Sequence, residues 1–279
     1  MSIKIVTDST ADLSQEVIDR YGITVIPMQY TLDGITYTDR VDITPAEFIE
    51  KMKGTKELPK TSQPSLGIFL KTFNELTADG SEVLAILVAG TLSGTVQTAR
   101  LAAREVKGKV TIVDSLFISK ALGFQVIEAA KMAAEGKSVE EITDRLEKIR
   151  SQTKLYVVLD TLENLVKGGR IGRGKGLISS LLNIKPIAAV QNGLYTPIVI
   201  ARSYRQAIKQ LANMFNKDIA GKRIGKISLV HADGLEMAER LKQKIRKTTQ
   251  SIDIPISETT PAIITHTGPG AIGLMFYTE

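Results

Sequence analysis

The spacing of apolar and polar positions switches between two periods along the first half of the chain. Ile3 to Val6, Val83 to Val88 and Val110 to Val113 are short continuous apolar runs, the pattern of strands buried on both faces. Between them apolar residues recur every three to four positions, which predicts helices at about 14–21, 66–77, 95–105 and 118–134. Turn and cap residues agree. Gly22 ends the first helix, and Thr44-Pro45-Ala46-Glu47 is a capping box with proline at the first helical position, opening a helix that Gly54 stops. Extended runs at 23–32 and 35–38 flank Asp33-Gly34, a dipeptide suited to the positive φ angles of a tight hairpin. Residues 55–65 read as a loop. Ser138-Val139-Glu140-Glu141 caps one more helix, ending near Arg150.

Beyond that helix the pattern is more mixed. Strands are expected at 155–159, 186–191, 194–201, 227–230, 254–257, 263–265 and 274–277, and helices at 162–167, 204–215 and 235–247. Asn192-Gly193 marks a second hairpin. The expectation is a two-domain α/β protein. Its N-terminal domain, 1–150, has a Rossmann-like parallel sheet, and its C-terminal domain, 151–279, is mixed α/β.

The length of 279 residues has room for two such domains. With no cysteine there is no disulfide framework, thiol nucleophile or thiolate metal site, and two histidines cannot supply a three-histidine zinc site. Residues 1–10 lack the basic start and apolar stretch of a secretory signal, and no apolar run approaches the ~20 residues of a membrane span. A cytoplasmic protein without a membrane anchor is expected. The net charge of +6 is unevenly divided. Residues 1–150 hold 18 Lys+Arg and 21 Asp+Glu, net −3, whereas 151–279 hold 18 and 9, net +9. The basic half suits either an anionic partner or solvated helix faces.

Candidate chemistry gathers where strands end. The loop Gly90-Thr91-Leu92-Ser93-Gly94-Thr95 leaves an apolar strand and opens a helix, placing free amides, a positive dipole end and two hydroxyls where an anion can sit. Capping of the helix by Ser93 or Thr95 is the plainer use of the same residues. Asp8-Ser9-Thr10 and Asp114-Ser115 follow neighbouring strands, and Thr61-Ser62-Gln63-Pro64-Ser65 clusters donors ahead of a helix. His266, read here as following a strand, precedes the backbone-exposing loop Thr267-Gly268-Pro269-Gly270-Ala271. Ser93 and His266, with Asp8 or Asp114, compose on paper a serine hydrolase, although the G-x-S-x-G elbow is absent. The stretch Lys167 to Gly176 carries Lys167, Arg170, Arg173 and Lys175 with no acid. Its arginine forks suit phosphate, but without aromatics or a known module it makes a poor nucleic-acid site.

Taken in order, Asp8-Ser9-Thr10, Thr61-Ser62-Gln63-Pro64-Ser65, Ser93-Gly94-Thr95, Asp114-Ser115, the run from Leu162 to Ile171 and His266-Thr267-Gly268-Pro269-Gly270-Ala271 resemble the signature series of the DegV family. These are bacterial fatty-acid-binding proteins that include the binding subunit of fatty acid kinase. The resemblance implies one long-chain fatty acid, such as palmitate, enclosed between the two domains. Its carboxylate is expected on Thr61, Ser93 and His266, supported by the loops bearing Ser62, Gly94, Thr95, Asp8, Ser9, Thr10 and Gly268. It further implies an ATP-dependent partner, a dihydroxyacetone-kinase-like fatty acid kinase that phosphorylates the carboxylate, and acceptor enzymes of phospholipid synthesis that take the acyl-phosphate. Arg170, Arg173 and Arg202 suit contact with that kinase or the new phosphate. No catalytic residue, metal or cofactor of the chain's own is expected. The alternative is the autonomous hydrolase built on Ser93 and His266.

Overall fold

The computed structural model describes residues 2–55, 57–172, 184–249 and 252–279. Its first half runs β1 (Ile3–Asp8), α1 (Gln15–Tyr21), β2 (Thr24–Ile26), β3 (Gln29–Leu32), β4 (Ile35–Thr38), α2 (Pro45–Lys53) and β5 (Lys60–Ser62). It continues through α3 (Leu66–Thr77), β6 (Glu82–Leu87), α4 (Thr95–Glu105), β7 (Val110–Asp114), α5 (Lys120–Ala134) and α6 (Val139–Gln152). The second half holds β8 (Thr153–Val158), α7 (Glu163–Lys167), β9 (Lys185–Gln191), β10 (Leu194–Ala201), α8 (Tyr204–Asp218) and β11 (Ile224–His231). Then come α9 (Leu235–Thr249), β12 (Ile256–Glu258), α10 (Pro261–Thr267) and β13 (Ile272–Thr278).

Three sheets result. A four-stranded parallel sheet has the order β2-β1-β6-β7; a six-stranded mixed sheet has the order β10-β9-β8-β13-β11-β12; and β4-β3-β5 is a small antiparallel sheet. The central strands β6 and the end of β1 are buried on both faces, as their pattern requires, whereas β7, an apolar run read the same way, lies at the sheet edge and is only half-buried. In β6, Val83, Ala85 and Leu87 pack under Phe69 and Phe73 of α3 and Val96 and Ala99 of α4, while Leu84 and Ile86 face the opposite way. There they share a core with α5 and with Leu155, Val157 and Met275 of the mixed sheet. The far face of the mixed sheet, with Tyr156, Val158, Leu274 and Phe276, is covered by Leu211 and Phe215 of α8 and Leu241 and Ile245 of α9. One core thus joins both halves through α5.

The caps and hairpins behave as their residues dictate. Thr44 and Ser138 both close capping boxes, and Ser65 caps α3 by accepting from the Ile68 amide. Asp33 and Gly34, like Asn192 and Gly193, have positive φ. Residue 150, the expected domain boundary, lies in the last turn of α6, which passes straight into β8.

Three local expectations are corrected. The run 23–32 is two strands in two different sheets, divided at Pro27 and Met28. The loop 55–65 contains β5, which pairs with β3 through Tyr30 opposite Thr61. Residues 263–265 are helical rather than a strand, so His266 stands in the last turn of α10. Pro261 starts that helix, and the Thr265 and Thr267 hydroxyls donate back to the Pro261 and Ile263 carbonyls.

The N-terminal end of α10 is tied to the first half of the chain. The Thr260 amide and Thr259 hydroxyl donate to the Asp12 carboxylate, and the Ala262 amide donates to Asp39 at 3.2 Å. Both acids are buried. Burial pushes the Asp39 carboxyl up to about 6, with the Ser9 and Thr260 hydroxyls and the Ala262 amide offsetting part of the effect. The unfolded carboxyl titrates near 3.8, so the folded state holds more protons between these values and stability falls as pH rises through that window. Asp39→Asn removes this penalty. Urea midpoints at pH 4.5 and pH 7 should show the variant gaining about 1–3 kcal/mol on the wild type as pH rises; a pH-independent difference refutes the assignment.

Candidate functional site

The parallel sheet reverses its strand order between β1 and β6, and in open α/β sheets ligands bind beyond the carboxyl ends of strands at such a point. Asp8 sets the crevice there. Its buried carboxylate accepts from the Val88 amide at 2.8 Å and from the amide and hydroxyl of Thr10, stitching the end of β1 to the end of β6. Burial raises its carboxyl above the ordinary range, and the three donors oppose that rise. Ser9 does not face the crevice; its hydroxyl accepts from the Met28 amide. Asp114 is likewise occupied by backbone amides, those of Gly90 and Leu116.

A cavity of about 230 Å³ opens at this position. Thr10, Thr61, Ser62, Gln63, Ser93, Gly94, Arg170 and His266 provide polar lining. Met28, Val88, Leu92, Ile118, Tyr195, Ala262 and Ile263 provide the apolar remainder. Among the described lining residues Arg170 is the one formal cation, and none is acidic. Such a wall suits an amphiphile with an anionic head.

The polar groups are held by contacts between distant segments. The β5 strand brings Thr61 to α10, where its Oγ1 lies 2.8 Å from His266 Nε2. Ser93 Oγ is 2.8 Å from Thr95 Oγ1, which turns inward to the protein rather than into the cavity. The first turn of α4 has Gly94 as its N-cap and no side-chain cap. Gly94 is needed for a close approach, since a Cβ there would lie 1.9 Å from Gln63 Oε1. Gln63 in turn donates to the Thr98 hydroxyl, locking the two hydroxyl-rich loops together.

Gly168 serves the same purpose on the other side. An added Cβ would sit 2.5 Å from His266 Nδ1, so the glycine lets the turn after α7 press against the imidazole. From that turn Arg170 reaches back, its Nε donating to the Leu92 carbonyl at 3.0 Å. Burial, together with the Arg170 charge, lowers His266 to about 4, so the imidazole is neutral at neutral pH. Gly268 ends α10 with positive φ beside Asn164 and does not line the cavity. A second cleft of about 580 Å³ shares Thr61, Arg170 and His266 with the cavity and adds Lys60 and Lys167.

These contacts do not compose a hydrolase. Ser93 bonds Thr95 and His266 bonds Thr61, while His266 Nδ1 is buried without a partner. Asp8 and Asp114, the acids that would complete a triad, are both committed to backbone amides, so neither orients His266. The basic stretch also divides: Lys167 pairs with Glu163, Arg170 turns into the cavity, and Arg173 lies outside the described residues. Arg202 is exposed at the end of the second hairpin, away from the cavity lining. Among the described residues no cluster of side chains could hold a metal ion, and no helix is long and apolar enough to cross a membrane.

Sequence reasoning missed the apolar lining. Met28, Ile118, Tyr195 and Ile263 come from four separate segments and carry no shared spacing.

Known proteins share both sequence and architecture. A DegV domain-containing protein from Listeria monocytogenes is 42% identical over 99% of this chain and 99% of its own, and one from Staphylococcus aureus is 40% identical over 97% of each. A DegV family protein from Thermus thermophilus, whose structure is described as showing fatty acid binding, superposes with a TM-score of 0.94 at 33% identity over the whole of both chains. DegV from Bacillus subtilis, described as a fatty acid binding protein, gives 0.91 at 29% identity, again over both whole chains. The family model described as "Uncharacterised protein, DegV family" matches residues 2–279. With that match spanning all but the first residue, and the α/β architecture reproduced, the chain belongs to the DegV family.

Proposed function

We propose that this protein binds one long-chain fatty acid, such as palmitate, and presents its carboxylate to an ATP-dependent fatty acid kinase in the cytoplasm. The observation that carries the reading is the cavity itself: apolar walls, hydroxyls at an uncapped helix start, one arginine and no acid. The fatty acid binding described for the Thermus and Bacillus relatives supports the ligand class. The kinase, and the acceptor enzymes that take the acyl-phosphate, rest on the motif resemblance.

The energetics suit a carrier. Burying an acyl chain of about 16 carbons gains roughly 12 kcal/mol at ~0.8 kcal/mol per methylene, before the costs of association. The head group therefore needs only enough contacts to fix its position. In this reading Thr61 and Ser93 donate hydroxyls to the carboxylate, with the start of α4 supplying a positive dipole end. Neutral His266 orients Thr61 without forming a tight ion pair that would quench the nucleophilic oxygen. Arg170 supplies the charge, and the adjoining cleft with Lys60 and Lys167 gives a partner's phosphate a route to the same group. Exposed Arg202 serves the kinase-docking face.

Protein purified from cells should carry about one long-chain fatty acid per chain, read by mass spectrometry; lipid-free protein indifferent to added fatty acid overturns the proposal. Ser93→Ala and Thr61→Ala should each weaken fatty-acid affinity by about 1–3 kcal/mol in a competition assay. Affinity unchanged in both variants shows that the head group lies elsewhere. With the kinase present, Arg202→Ala should slow phosphorylation of the bound acid at least severalfold while leaving its affinity intact, and equal loss of both contradicts a docking role.

A further inference from the structure

The lipid cavity does not end at its own back wall. Tyr195 and Ile263 line it and also line a small neighbouring chamber of about 20 Å³. That chamber lies against the mixed sheet, floored by Leu155 and Val157 of β8, Val230 of β11 and Met275 of β13. Its hydroxyls are engaged elsewhere: Ser119 and Thr259 donate to Asp12, and Thr267 donates to the Ile263 carbonyl. The chamber therefore presents mostly carbon. Its volume takes about one methyl group.

We propose that Tyr195 and Ile263 form a gate between the two spaces, which an acyl tail opens when it is long enough, so that these residues set the chain lengths the protein accepts. This rests on the fatty-acid reading above. Tyr195 is the strand-borne member of the pair and is buried. It sits on β10, the edge strand of the mixed sheet, two residues before the irregular pairing at Pro197. Beyond its pairing with β9, that part of the strand is held by an isolated bridge to Ile171 and by the Gly172 amide donating to the Tyr195 carbonyl. Ile263 lies three residues before His266 on α10, hence on the same helix face. One short helix thus contacts the tail through Ile263 and the head-group residue Thr61 through His266, which links passage of the tail to the setting of the head-group site.

The test compares octanoate with palmitate on lipid-stripped wild type, Ile263→Phe, Ile263→Ala and Tyr195→Leu, using competition against a fluorescent fatty acid. Enlarging the gate residue should lower palmitate affinity relative to octanoate by about fourfold, the effect expected when one methylene loses its burial. Trimming it, in Ile263→Ala or Tyr195→Leu, should move the ratio the other way. A variant that only loosens the fold shifts both acids alike. Equal shifts for the two acids, or Ile263→Phe and Ile263→Ala moving the preference in one direction, overturn the gate while wild-type binding of palmitate leaves the lipid reading standing. Wild type that binds neither acid overturns both.

Discussion

The anchoring of α10 is the constraint on which the site depends. This seven-residue helix belongs to the second half of the chain, yet its start is held by Asp12 and Asp39 of the first half. Its far end then delivers His266 to Thr61. Two buried carboxylates are costly to desolvate, and both are shifted toward their neutral forms as a result. Backbone amides and hydroxyls offset part of the cost, and what they secure is position. Were α10 free to slide by one turn, His266 would leave Thr61 and Ile263 would leave the cavity wall.

The chemistry of the cavity follows from what it omits. Among the described residues its lining holds one cation and no acid, and its histidine is neutral because burial and Arg170 both disfavour the imidazolium. A neutral histidine paired to a threonine can orient a hydroxyl but has no acid behind it to act as the base of a hydrolase. A soft, hydroxyl-rich grip combined with apolar walls suits a ligand held mainly by its tail. The site also faces two spaces, because Thr61, Arg170 and His266 line both the cavity and the basic cleft beside it.

Much of this was legible in the chain before its fold was known. Alternating apolar runs and helical periods specify an α/β protein because burial on both faces leaves that mark on a strand. Thr44, Ser138, Asp33-Gly34 and Asn192-Gly193 acted as caps and turns because their effect is local to a few backbone groups. The errors have the opposite origin. Ile263 to Thr265 are β-branched and read as a strand, but the helix they form is capped by Asp12 and Asp39, more than two hundred residues away in sequence. Lys60 to Ser62 is too short to show a period, and is a strand only because β3 offers it a partner.

The same division holds for function. Apolar runs, helical periods and the ordered motif series are properties of the sequence, and by themselves they determined the fold class and the family resemblance. Which side chains meet is another matter. The cavity is assembled from the loops after β1, β2 and β6, from β5, from the loop before α5, from the turn after α7, from β10 and from α10, segments with no common spacing. Tertiary structure alone decided that Thr61 would face His266, that Arg170 would turn inward while Arg202 stays outside, and that Tyr195 and Ile263 would stand between two spaces. The physical reason is that packing across sheets depends on the summed shape of many distant side chains, whereas caps, turns and periods depend on neighbours along the chain.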